Sequence, residues 1–549
     1  MKTFADIVEQ ILAHRWSASP VSATADGIHT FDNELDRMDR DSLEEANKKR
    51  KEFLNLLNSV NASALTPVQS LECRVLKSAL ETSIAEFEEV RYWEKDPAIP
   101  ASIALYSVFL LQLRRFAPIQ DRASAILSRL EKIPRLLTEA RKNLVNPPQV
   151  FTMIACDVVQ GGVSFVTDAI ASLAEDVPPL KNALLEARKD ALYALGDYLS
   201  YLRKDLLPKS QGNFAIGKDL FNLKLRKEHG LPYNSKEIKE IGEAALREAG
   251  EKIASVANAI VKNKTWQDIF SEMKATHPGP NELLEAYRVE MERAREFIKA
   301  RGLLDFPEDE SLEVIPTPAF DRPTTPYAAI MPPAPFEKDQ RSFFYVTPIE
   351  DSMSPQEREE RLKGHCVYGI PITALHEAYP GHHLQFIFAN RNPSKVFRLY
   401  GTPVLVEGWA FYCEEMMYEQ GYYIDPRVRL YQLKDILWRA SRVIVDVGLH
   451  TEGMSYNEAV QFLVTRAGLE EPNARNEVNR YCQGPTYPMS YLIGKHEIMA
   501  IRNEFSRKTG KGYSLREFHK KLLDYGNISP CLIAQHEFSK VKGGEVGKE

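Results

Sequence analysis

Helical hydrophobic periodicity, running with little interruption from Ser42 to Leu304, restricts the fold of this chain more than any other feature. Apolar residues return three or four positions apart at Phe53, Leu56, Leu57 and Val60. They do so again at Leu180, Leu184, Ala187 and Ala191, after the Pro178-Pro179 pair. That spacing lines one face of a helix, whereas a strand would need alternation. Ser235-Lys-Glu-Ile238 opens a further helix that continues through Ile241, Ala245 and Ala249. Pro100, Pro118, Pro147-Pro148 and Pro178-Pro179 punctuate the run, as proline does at helix starts and loops. There is no fixed-period repeat and no low-complexity tract, so this half reads as scaffold.

The pattern changes near Leu304. Eleven prolines fall between Asp305 and Pro371, and few helical windows survive among them. Within this stretch Ser342-Phe-Phe-Tyr-Val-Thr347 is aromatic and β-branched, and reads as a short strand. Helical periodicity resumes at Ile372 and continues to the C-terminus. The expected fold is mostly α: a large two-lobed helical protein with a small β-sheet. A helical N-terminal lobe over 1–310 and a second lobe over 311–549 are expected within one continuous folding unit, since no Gly/Ser linker separates them.

Composition removes several classes. A chain of 549 residues that is 44% hydrophobic can bury a large core, which excludes disordered and collagen-like chains. Lys plus Arg number 70 against 76 Asp plus Glu, a net charge of -6 that argues against a nucleic-acid partner. The six cysteines are scattered without a CxxC pair, so they read as buried small apolar residues rather than as a disulfide or zinc-ribbon framework. Met1 to Trp16 lacks the apolar core of a secretory signal, and the apolar run Ile103–Leu113 is too short to cross a bilayer. The resulting expectation is a cytoplasmic protein with no membrane partner.

Chemistry concentrates where the helical pattern resumes, at Ala374-Leu-His376-Glu377-Ala-Tyr-Pro380-Gly381-His382-His383-Leu-Gln385. Three histidines and a glutamate within eight residues stand out in a chain with 12 histidines. The nearest mechanistic pattern is HExxH on a helix, where two His bind Zn²⁺ and the Glu polarises water. Here the second His comes six or seven positions after the first. On an ideal helix six positions leave His382 about 120° away from His376, and seven leave His383 about 20° away but two turns along. An unbroken helix favours His383. Pro380 has no N–H for the His376 carbonyl, however, and a bulge there would restore His382. A third ligand is available in Val406-Glu407-Gly408-Trp409-Ala410, where Glu407 opens an apolar helical segment. A buried carboxylate is costly there without a partner, and a metal supplies one. Glu414 and Glu415 read as solvated groups or as groups behind the ligands.

The sequence pattern HExxPGHHLQ, then EGWAxY, then a late RY…P…SYxxGK resembles a widespread domain-of-unknown-function family grouped with the gluzincin zinc metallopeptidases. Gln211–Gly217, Glu240–Gly242, Arg442–His450, Glu477–Tyr481, Ser490–Lys495 and Phe518-His519 match its other blocks. The resemblance implies a mostly α, cleft-forming peptidase whose catalytic lobe is 311–549 and whose small β-sheet lies beside a metal-binding cleft, with His376, His382 and Glu407 as Zn²⁺ ligands and Glu377 as general base. His383 is left as a ligand or a supporting group.

Hydrolysis through an oxyanion also wants a hydrogen-bond donor beside the metal. Tyr481, Tyr487 and Tyr491 lie in a Gly/Pro-containing stretch; Tyr491 is the first candidate and His450 the second. Arg480 and Lys495 could hold a substrate carboxylate or form structural ion pairs. The Ser342–Thr347 strand could pair with an extended peptide. The expected function is zinc-dependent cleavage of peptide bonds in short peptides. The alternatives are an amidase or esterase of small non-peptide substrates, and an inactive helical binding protein.

Overall fold

Side-chain caps decide where many of the helices begin. Thr3, Thr66, Asn234, Ser354 and Ser455 each exchange hydrogen bonds with the residue three positions on, closing capping boxes. The computed structural model describes residues 3–308, 310–318, 322, 325 and 327–538. The fold is mostly α with one small sheet, as the periodicity indicates.

The chain forms two compact units. The first comprises Met1–Phe214, Pro318–Thr324 and Ala334–Asp339; the second comprises Ala215–Thr317, Thr325–Pro333 and Gln340–Glu549. The division therefore falls at 214/215, not at the expected 310/311. The cause is packing: Ser235–Ile260 lies against Pro426–Thr451, and Leu283–Arg301 lies against Ile370–Glu377. Prolines after Leu304 mark a change of local structure, which is not where one hydrophobic core ends.

In the first unit the helices Ala98–Leu113, Ile119–Asn143, Gln149–Asp176 and Lys181–Tyr201 pack together. Gly162 lets two of them approach, because a Cβ there would sit 2.6 Å from both δ-carbons of Leu105. Gln149–Asp176 is long and apolar enough to cross a membrane by length and composition, a feature that the sequence reading passed over. Its exposed stripe carries Met153, Asp157, Gln160, Ser164 and Asp168.

The second unit holds the sheet: β1 (Ser311–Pro316), β2 (Ala328–Met331) and β3 (Arg341–Val346), in the order β1-β3-β2. β3 pairs in parallel with β1 and antiparallel with β2, with Phe344 opposite Val314 and Ile330. The strand read from the sequence is thus central, and its paired flanks remove it as a template for an extended peptide. The helix Pro355–Lys363 also lies in the proline-rich stretch. Its Ser354-Pro355 start and Glu357 were a legible signature.

Candidate metal centre

The site is built around a break between two helices. Ile370–Glu377 ends one residue after His376, and His382–Asn390 begins with His382. Pro380 cannot supply the N–H that a continuing helix needs, and its carbonyl accepts from the Trp409 indole at 2.9 Å. Gly381 donates its N–H to the Leu375 carbonyl at 3.0 Å. A Cβ at Gly381 would lie 1.9 Å from the His376 carbonyl oxygen, so a residue without a side chain is needed there. The turn brings the His382 ring across His376, with centroids 4.8 Å apart and planes at 89°. Neither ideal-helix angle applies, because the helix does not continue.

Glu407 arrives on the helix Pro403–Glu419, which crosses Ser490–Thr509 with Gly408 against Gly494. Its Oε2 lies 3.5 Å from His376 Nε2 and 3.4 Å from His382 Nε2. One ligand atom from each of these buried residues falls within 4.8 Å of the others. Glu407 Oε2 is buried and takes no hydrogen bond, while Oε1 accepts from the Tyr487 hydroxyl. Ligand atoms of a tetrahedral zinc with bonds near 2.0–2.1 Å stand about 3.3 Å apart, so the observed separations fit a cation between them. Behind the ligands, His376 Nδ1 donates to Glu414 Oε1 at 2.9 Å, which turns Nε2 toward Glu407.

The electrostatics favour positive charge here. Burial alone would lower the His376 pKa, but the facing carboxylates of Glu407 and Glu414 outweigh this and push it up to about 10. Burial likewise raises Glu407, yet the neighbouring His382 and His376 hold it well below the usual carboxylate range. Glu377, partly buried at the helix end, makes no hydrogen bond among the described residues. Burial pushes its pKa up against the pull of His376 and His382.

Residues 20–536 match a family described as bacterial protein of unknown function, DUF885. The chain belongs to this family. A solved structure of a candidate lipoprotein of unknown function from Shewanella oneidensis is similar over 97% of this chain and 99% of its own, with TM-score 0.79 and 24% identity. A candidate lipoprotein from Colwellia psychrerythraea is similar over 97% of both chains, with TM-score 0.82 and 17% identity. Among curated proteins nothing matches. These findings correct two expectations. The gluzincin kinship is replaced by a family of unknown function, since a short HE…GHH block is a local pattern that does not carry descent. The cytoplasmic placement is overturned by neighbours described as lipoproteins. A net charge of -6 and scattered cysteines report on solubility and pairing, and do not distinguish compartments.

In this DUF885 protein the other candidates separate cleanly. His383 is not beside the ligands: its Nδ1 meets Ser342 Oγ at 2.7 Å and its Nε2 meets Glu310 at 2.8 Å. Glu310 also accepts from Tyr379 at 2.6 Å and Arg295 at 2.9 Å, so His383 ties the turn to the sheet. His450 is corrected as an oxyanion donor, because its Nε2 is held by the Tyr481 carbonyl at 2.9 Å and the residue is 1% exposed. Tyr491 stacks on His376 with centroids 6.1 Å apart, and its hydroxyl has no hydrogen-bond partner among the described residues. Burial and the charge of Glu407 raise it to about 12, which keeps it a donor. Lys495 and Arg429 both pair with Glu415 at 3.0 Å, so neither Lys495 nor Glu415 faces the centre. Of the two places the sequence left open for Glu414, solvent or behind the ligands, the structure shows the second, through its bond to His376. Glu414 lies seven residues after Glu407, two turns along the same helix face, and that spacing was its signal.

Proposed function

We propose that this protein is a zinc-dependent hydrolase of peptide bonds, acting on short peptides with Glu377 as general base. One observation carries the reading: the buried Glu407 Oε2, without a hydrogen bond, set 3.4–3.5 Å from the Nε2 atoms of His376 and His382. Zn²⁺ bound by these three residues supplies a Lewis acid and lowers the pKa of water. Glu377 accepts the proton of the attacking water and passes it to the amide nitrogen. The C–N bond then breaks, leaving a carboxylate and an amine. Tyr491 donates to the carbonyl oxygen as negative charge develops on it. Glu414 holds His376 in the required tautomer, and Tyr487 orients Glu407. The test is Glu377→Gln, which should keep one zinc per chain and lower kcat on model peptides by about 10²–10⁴-fold. Turnover at the wild-type rate would remove Glu377 from this role and the reading with it.

A further inference from the structure

Tyr487 and Tyr491 belong to two structures at once. The first touches Glu407 and the second stacks on His376, and both line a cavity of about 60 Å³ shared with Arg442, Arg480 and Tyr481. That volume admits a few waters or one small polar group. Its floor is cationic. Arg442 is fixed from below, donating to Glu477 at 2.8 Å and to the Tyr481 hydroxyl at 2.9 Å, with its guanidinium 4.4 Å from the Trp438 ring centre. Arg480 donates to the other Glu477 oxygen at 3.0 Å. Two guanidinium groups thus share one carboxylate, which leaves one positive charge uncompensated. Arg442 is 5% exposed in its side chain, whereas Arg480 is 45% exposed. One terminal nitrogen of each has no acceptor among the described residues.

We infer that this cavity receives the free α-carboxylate of the substrate, so that the enzyme acts on short peptides or acylated amino acids with an unblocked carboxyl end. The inference rests on the hydrolase reading for its substrate, and on the Arg442–Arg480–Glu477 cluster for its charge. A planar guanidinium with free N–H groups matches a carboxylate in two-point geometry. A neutral amide in the same position leaves that charge unmet. The aromatic walls supply apolar contact beside it and narrow the access of water.

The test compares binding of N-benzoylglycine and its amide by titration calorimetry. Wild-type protein should bind the acid at least tenfold more tightly than the amide. Arg480→Gln should remove that preference, Arg480→Lys should keep part of it, and stripping the metal with a chelator should leave it in place. A preference below twofold in wild type overturns the inference. So does a preference that disappears with the metal and survives Arg480→Gln. In parallel, N-benzoylglycyl-phenylalanine and its carboxyl-terminal amide are offered as substrates. If neither is cleaved while acid-selective binding persists, the hydrolase reading fails and the carboxylate site stands. If the amide is cleaved as fast as the acid, the carboxylate site fails and the hydrolase reading stands.

Discussion

At the scale of single residues, two adjacent histidines have different jobs because they open the helix His382–Asn390 about 100° apart around its axis. His382 faces Glu407 and His376, while His383 faces Ser342 and Glu310. Burial would raise the Glu310 carboxyl, but hydrogen bonds from His383 and Tyr379, with Arg295, outweigh it and push its pKa down to about 2. A carboxyl lowered on folding stabilises above its unfolded value, near 4.3 for Glu, and loses that contribution as pH falls through about 2. Glu310→Gln should therefore flatten the acid-side loss of stability between about pH 4.3 and 2 in urea titrations, and cost about 1–3 kcal/mol at neutral pH. An unchanged acid limb would contradict the ion-pair account. Tyr491→Phe should lower kcat by about 10²-fold with KM unchanged, because the hydroxyl acts only as charge develops. A change in KM alone would make it a binding group. His376, Glu377 and Glu407 were legible in the sequence because an ionisable cluster in an apolar helical setting is costly and needs a reason. The choice between His382 and His383 was not, since it depends on backbone angles over four residues.

At the scale of elements, close helix contact sets the position of Glu407. A Cβ on Gly494 would lie 1.9 Å from the Val404 carbonyl oxygen, and one on Gly408 would lie 2.4 Å from the Gly494 Cα. Gly494→Ala should cost about 1–3 kcal/mol by forcing the helices apart, and it should weaken zinc binding because Glu407 is carried on the displaced helix. Gly250 is the contrast. It lies inside Ser235–Ile260 with nothing within 4 Å of an added Cβ. There alanine should raise stability by up to about 1 kcal/mol. Equal melting shifts for the two variants would contradict the packing account. Helical periodicity was read correctly where one stripe is buried, as at Leu184, Ala187 and Ala191. β1 and β2 were hidden because short segments among prolines carry too few residues to show alternation. The His376–His382 break was signalled by Pro380-Gly381, but the bond of its Pro380 carbonyl to the Trp409 indole comes from a helix distant in sequence.

At the scale of the whole molecule, the candidate centre and the guanidinium cavity both lie in the second unit. Local sequence character misplaced the boundary of that unit, since packing partners such as Ser235–Ile260 precede the proline-rich stretch. A cation bound by the folded chain alone stabilises it by mass action, about 2.7 kcal/mol at a free concentration 100 times its Kd. Chelation should accordingly lower the melting temperature, and zinc should restore it. The most direct measurement is the zinc content of purified protein, taken by mass spectrometry after dialysis for wild type, His382→Ala and His383→Ala. One zinc per chain in wild type and in His383→Ala, with none in His382→Ala, is the predicted result. Wild-type protein without metal, or metal that is lost with His383 and kept without His382, would contradict it.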